Sequence, residues 1–285
     1  SRRQRQMCIR DSIDILKRYN FTVEENMPFD KDVSLDPELL GKVFENLLAS
    51  YNPETQQTAR KQTGSFYTPR EIVQYMVDES LVTHLKRTVG NELESEYRKL
   101  LDYADNEILL TEQQKLAIMQ SLYNCKILDP ACGSGAFPVG VLQQMVHILK
   151  QIDPDNSRWK NMLLQFAIDE TSEAYLNSTA EERREAVADI ERAFDENVNY
   201  PDYARKLHLI ENCIYGVDIQ PIAIQISKLR FFISLVIDQK RNNNPADNFG
   251  IRPLPNLEAK FVAANSLLGL SLIHISEPTR LLSIS

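Results

Sequence analysis

The chain has 285 residues, 43% of them hydrophobic, enough to build one large domain or two modest ones around a real core, and its formal charge is -8. No apolar run approaches the roughly 20 residues of a membrane span, "FFISLVI" being the longest, and an acidic balance offers no electrostatic grip on a nucleic-acid backbone. Cys8, Cys125, Cys132 and Cys213 form no CxxC pair and the histidines are scattered, which excludes a disulfide scaffold and a metal cluster and points to a reducing compartment, the cytoplasm.

The two ends read as foreign. Met7-Cys8-Ile9-Arg10-Asp11 can be encoded by a string whose reverse complement encodes Leu270-Ser271-Leu272-Ile273-His274. That string resembles the linker of transposon-made sequencing libraries. Residues 1–12 and 270–285 are therefore expected to be adapter-derived tails and are set aside from the fold. The tails carry Arg2, Arg3, Arg5 and Arg10 against Asp11 at one end and balanced Glu277 and Arg280 at the other. What remains is thus more acidic than the whole. If DNA is a partner, most of the gripping surface is expected elsewhere.

In chain order, residues 13–62 read as a helical N-terminal segment. Asp36-Pro37 opens a helix with Leu39, Leu40, Val43, Phe44, Leu47 and Leu48 on one face. "YNPETQQTARKQTGS" (51–65) is polar and loop-like. Thr68-Pro69-Arg70-Glu71 predicts a capping box, followed by a stripe of Ile72, Val73, Met76, Val77, Leu81 and Leu85. A helical stretch around 91–121 leads to a strand at Lys126–Asp129.

A glycine loop then opens a helix with Phe137, Val141, Met145, Ile148 and Ile152 on one face. A charged, mostly helical insertion (about 153–210) reads as a solvated surface. "CIYGVDIQP" predicts a strand ending at Asp218 and a helix from Pro221, with Ile222, Ile226, Leu229, Ile233 and Val236 toward the core. After an Asn/Pro-rich loop (242–256), "AKFVAANSLL" predicts a third strand ending near Asn265. Strands separated by helices imply an α/β fold: a parallel sheet with helices on both faces.

"DPACGSG" (129–135) is the strand–loop–helix turn that presents backbone N–H groups to a ligand. A nicotinamide dinucleotide would require G-x-G-x-x-G/A, and Pro138 stands where the third small residue belongs. The ribose acid expected about 20 residues on would be Asp153, yet no strand precedes it. Asp218 is the first strand-end acid.

"DPACGSG", "FYTP" (66–69) upstream of it, "GVDI" (216–219) and "NSLL" (265–268) together resemble adenine-specific DNA methyltransferases. Specifically, they resemble the large methylases of restriction-modification and phage-defence systems, bifunctional type II enzymes included. The resemblance covers essentially all of the chain between the tails. It implies a doubly wound S-adenosylmethionine-dependent methyltransferase fold, partial here (63–269), with S-adenosyl-L-methionine as cofactor and double-stranded DNA as partner.

By the same resemblance Asp129, Pro130, Ala131, Cys132, Gly133, Ser134 and Gly135 would hold the cofactor's amino-acid end. Gly133 and Gly135 let the backbone approach without a Cβ clash. Asp218 would accept the ribose hydroxyls, although an Asp there also suits a helix cap. Ile219 would pack on adenine, and Asn265 would meet its edge or simply serve a turn. Tyr67, Thr68 and Pro69 would close over the methionine end, while the capping box alone accounts for Thr68. Cys132 reads as a small buried residue, not a nucleophile.

The family activates adenine's amine with an Asn/Asp-Pro-Pro-Tyr/Phe tetrapeptide on a flipped-out base. That motif is absent; "RPLPN" has the wrong order and "YNPE" precedes the cofactor loop. The sequence therefore holds cofactor elements without catalytic ones and is expected to be inactive alone. Two other readings stay open: a methyltransferase for RNA, protein or a small molecule, and a helical interaction module.

Overall fold

The computed structural model describes residues 51–52, 57–58, 68–104, 107–169, 179–253 and 255–266. The proposed tails, the helix opened by Asp36-Pro37, and Tyr67 lie outside them. Tyr51–Asn52 (β1) pairs antiparallel with Gln57–Thr58 (β2), so the stretch read as loop contains a short ladder.

The expected capping box at Thr68 does not form. Helix α1 (Arg70–Thr88) starts from Pro69, whose ψ of 146 is extended, and no side chain caps it. Thr68 is therefore one residue too far back to reach the first turn; the Pro69 carbonyl instead accepts from Ile72 N at 3.0 Å and Val73 N at 3.1 Å. The true box of this region lies at Thr111 and Gln114, whose side chains each accept from the other's backbone N–H. It starts α3 (Glu112–Asn124), which follows α2 (Glu94–Leu101). On α1 the core face is Val73, Val77, Leu81, Val82 and Leu85, whereas Ile72 and Met76 are each 49% exposed.

Strand β3 (Ile127–Asp129) enters the glycine loop and α4 (Ala136–Ile152). Helix α4 is apolar on most sides: Val139, Val141, Leu142, Met145, Val146, Ile148, Leu149 and Ile152 are all buried, because α1, α2, α7 and the sheet surround it. Then come α5 (Ser157–Ile168), α6 (Ala180–Ala193) and α7 (Asp202–Asn212). Only Ala193 is buried along α6, in keeping with its charged sequence, while α7 buries Tyr203, Ala204, Leu209 and Ile210. Asp153, fully buried, is a structural cap: its carboxylate accepts from Trp159 N at 2.9 Å and Arg158 N at 3.3 Å. Its carbonyl accepts from the buried Arg205 guanidinium, so it has no part in ribose recognition.

Strand β4 (Ile214–Asp218), helix α8 (Pro221–Val236) and strand β5 (Phe261–Ala263) complete the unit. The sheet order is β3-β4-β5, all parallel, with Asp129 opposite Gly216 and Asp218 opposite Ala263. This is a helix-rich α/β fold with a small parallel sheet, its strands where the sequence suggested. Among the described residues no helix is long and apolar enough to cross a membrane.

Helices were expected on both sheet faces; among the described residues they cover one. The face with Ile214, Gly216 and Phe261 is buried, whereas Leu128 is 61% and Val262 39% exposed on the other. Helix α8 turns a partly different face inward than expected. Ile226 is buried as expected, but Ile222 and Leu229 are exposed, and the buried side is Ala223, Ile224, Ile226, Ser227, Lys228, Arg230, Phe231, Ser234 and Leu235. Ser227 marks where the helix comes closest to the glycine loop, and Phe231 packs on Phe261 with ring centroids 4.9 Å apart.

The two environments should respond differently to truncation. Met145→Ala, at a fully buried position, should cost about 2–5 kcal/mol in urea unfolding. Leu128→Ser, on the open face, should cost less than about 1 kcal/mol; a comparable loss at both positions would show that the outer face is packed.

Candidate functional site

The sheet's carboxyl end gathers the chemistry. After Asp129 the chain folds back so that Cys132 N donates to Val217 O at 2.9 Å, extending β4's pairing into the loop. Gly133 (φ 53) and Gly135 (φ 88) take left-handed conformations that a side chain would strain. Gly135 is the N-cap of α4; no side chain caps that end, and no acid lies in its first turn. The uncapped N–H groups and the positive end of the helix dipole are available to an anionic group.

Asp218 ties the loop to the sheet. Its Oδ2 accepts from Gly133 N at 2.9 Å and its Oδ1 from Gln220 N at 2.8 Å, at the start of α8. One carboxylate thus bridges the glycine loop and the residue that precedes α8. Each oxygen retains a second lone-pair direction for a hydroxyl donor.

Asp129 is less satisfied. Its Oδ1 accepts from Ala131 N at 3.0 Å, while Oδ2 is buried without a hydrogen-bond partner. Burial, reinforced by the neighbouring Asp218 charge, pushes its carboxyl above the usual carboxylate range despite the Ala131 N–H. A donor-rich cation at this point would satisfy the oxygen. A Cβ placed on Gly133 would meet nothing within 4 Å, so this side of the loop is open to a ligand. An orphaned carboxylate oxygen and an open glycine backbone suit an amino-acid group carrying both an ammonium and a carboxylate.

The remaining predicted residues divide. Cys132 is buried, and burial together with Asp129 and Asp218 pushes its thiol up to about 12, which leaves it protonated and inert. Ser134 is buried, whereas Pro130 and Ala131 are exposed. Ile219 is 57% exposed beside Asp218. Ala264 N donates to Asp218 O at 2.9 Å, so exposed Asn265 sits just beyond β5 at the same end of the sheet. Thr68 is half-buried and Pro69 exposed. Their helix reaches α4 near the loop, since a Cβ on Gly140 would lie 3.1 Å from Val73 Cγ1. A separate groove of about 610 Å³, with Leu163 of α5, Ile190 of α6 and His208 of α7 in its walls, shares none of these residues.

Sequence reading missed Ser227 and Arg230 on α8, which touch the loop from beneath. Ser227 Oγ donates to Gly133 O at 3.3 Å and Arg230 Nη1 to Ser134 O at 3.1 Å. The available signal was a small polar residue and an arginine at i, i+3 within an apolar helix.

No family model matches the sequence. Over 289 aligned residues the chain is 28% identical to a Methanocaldococcus jannaschii protein named "Putative type II restriction enzyme and methyltransferase RM.MjaORFECS2P", covering 97% of this chain and 20% of that protein. The chain therefore spans about a fifth of that relative's length.

Ionised Asp129 opposes folding, because the folded chain holds its carboxyl above the range it has when unfolded. That penalty is complete above the folded pKa and vanishes once pH falls below the unfolded one. Asp129→Asn should therefore stabilise the chain by about 1 kcal/mol at pH 7. The gain should disappear below about pH 4, as measured by urea unfolding at both pH values.

Proposed function

We propose that this chain is the cofactor-binding part of a site-specific DNA methyltransferase of the restriction-modification type, acting on the exocyclic amine of adenine. The observation that carries this reading is the clasp between Asp218 and Gly133 N beside the unpartnered Oδ2 of Asp129. Similarity to a protein named as restriction enzyme and methyltransferase favours DNA over other acceptors. A dinucleotide enzyme is disfavoured by Pro138 in the glycine pattern and by the capping role of Asp153.

In this reading Asp129 faces the ammonium of S-adenosyl-L-methionine, and the open N-terminus of α4 faces its carboxylate. Asp218 accepts from the ribose hydroxyls, Ile219 covers the adenine, and Asn265 meets the adenine edge. Tyr67, Thr68 and Pro69 close over the methionine end. When bound, the cofactor supplies an electrophilic methyl group on a sulfonium. The residues of this chain bind and orient it; they do not activate the acceptor. That task falls to an Asn/Asp-Pro-Pro-Tyr/Phe segment, which this sequence lacks, and the duplex is gripped by a more basic region outside it. The setting is cytoplasmic.

Titration calorimetry with both candidate cofactors tests the reading. S-adenosylmethionine should bind, and Asp218→Ala should weaken it by about 1–3 kcal/mol. Nicotinamide dinucleotide should bind no better than background, and tighter binding of it would overturn the cofactor. With labelled S-adenosylmethionine and duplex DNA the chain alone should transfer no methyl group; robust transfer would place the catalytic residues within it.

A further inference from the structure

The glycine loop is held from the side opposite the expected ligand. Ser227 is fully buried and donates its hydroxyl to Gly133 O at 3.3 Å, while Asp218 Oδ2 accepts from Gly133 N at 2.9 Å. One residue is thus gripped at both its N–H and its C=O. Arg230, 5% exposed, donates to the next carbonyl, Ser134 O, at 3.1 Å. Ser227 and Arg230 are three residues apart, so one face of α8 presents both donors.

The contact is tight. A Cβ on Gly135 would stand 2.4 Å from Ser227 Oγ, whereas one on Gly133 would meet nothing within 4 Å. The loop carbonyls are therefore drawn toward α8 while the Gly133 backbone stays open on its free side. Glycine populates positive and negative φ almost equally, so a loop with glycine at 133 and 135 has no intrinsic preference for this shape. A rotated peptide at Gly133 or Ser134 would offer a carbonyl oxygen where a polar ligand needs an N–H group.

We propose that Ser227 and Arg230 are positioning residues that preorganise the loop for cofactor, one by a neutral hydroxyl and the other by a buried cation on a carbonyl. This rests on the reading of the loop as the S-adenosylmethionine site. Removing either donor leaves the contact residues in place but raises the ordering cost of binding. The carbonyls also lose their partners in a buried setting, which favours peptide rotation.

The test uses the whole chain, with S-adenosylmethionine calorimetry and, without ligand, amide hydrogen exchange. Ser227→Thr and Ser227→Val have the same shape and differ in the hydroxyl. The Thr variant should bind within about twofold of the parent and the Val variant about five- to tenfold more weakly, the scale of one hydrogen bond. Exchange at the Gly133, Ser134 and Gly135 amides should quicken in the Val variant, while the core of α4 around Met145 stays protected. Arg230→Met should show the same pattern from an independent position, should the added methyls at 227 disturb folding. Equal affinity and equal loop exchange in the Thr, Val and Met variants would overturn the proposal. A parent chain that binds no S-adenosylmethionine would overturn the cofactor reading, and loop exchange would still decide whether the clamp orders the loop.

Discussion

The hydrogen bond from Gly133 N to Asp218 Oδ2, at 2.9 Å, joins residues 85 positions apart in sequence and determines what the sheet end can do. It requires β3 and β4 to be adjacent and parallel, so that Asp129 falls opposite Gly216 and Asp218 projects one step further. It requires the left-handed turn at Gly133. It also requires α8 to begin immediately after Asp218, because the other carboxylate oxygen accepts from Gln220 N. A charge-assisted bond of this kind is among the stronger polar contacts in proteins. Three elements whose order in the chain is β3, β4, α8 are thereby fixed around one carboxylate.

Helix α8 follows from that constraint. Starting at Pro221, three residues past Asp218, and packing on β5 through Phe231 and Phe261, it must run beneath the glycine loop. Ser227 lies where the approach is closest and Arg230, three residues on, reaches the next carbonyl, while Ile222 and Leu229 turn outward. Gly216 obeys the same rule one layer down: a Cβ on it would lie 2.7 Å from the Phe261 ring and 2.9 Å from Cys132 Sγ. The ring, the thiol and the strand backbone share a space without room for another carbon.

The elements that could be read in advance are those set by local chemistry. β3, β4 and the start of α8 at Pro221 carry strand residues, a strand-end acid and a proline at the first helical turn, and they stand where expected. The buried face of α4 includes four of its five predicted residues, because a helix surrounded by others buries almost any apolar stripe. Readings that depended on a partner's position failed. The α8 stripe rests on apolar periodicity alone; Ile226 is buried as it suggested, but Ile222 and Leu229 turn outward. Thr68 fits a capping box by residue type, but the extended Pro69 moves it out of reach. Gly133, Gly135 and Asp218 were recognisable as motifs, whereas Ser227 and Arg230 gain meaning only from a contact more than 90 residues long in sequence.

The site's local features run against folding. Asp129 is held with an unpartnered buried oxygen, and the first turn of α4 has no side-chain cap. Each would be relieved by a simple substitution. Such concentrated cost is tolerable only on a rigid support. Helix α4 provides it: directly after the loop it places Leu142, Met145, Ile148 and Leu149 at essentially zero exposure among α1, α2, α7 and the sheet. Stability sits in the body of the helix and the unmet polar groups at its start. The same helix therefore anchors the core and holds uncapped N–H groups at the place where a charged ligand would complete them.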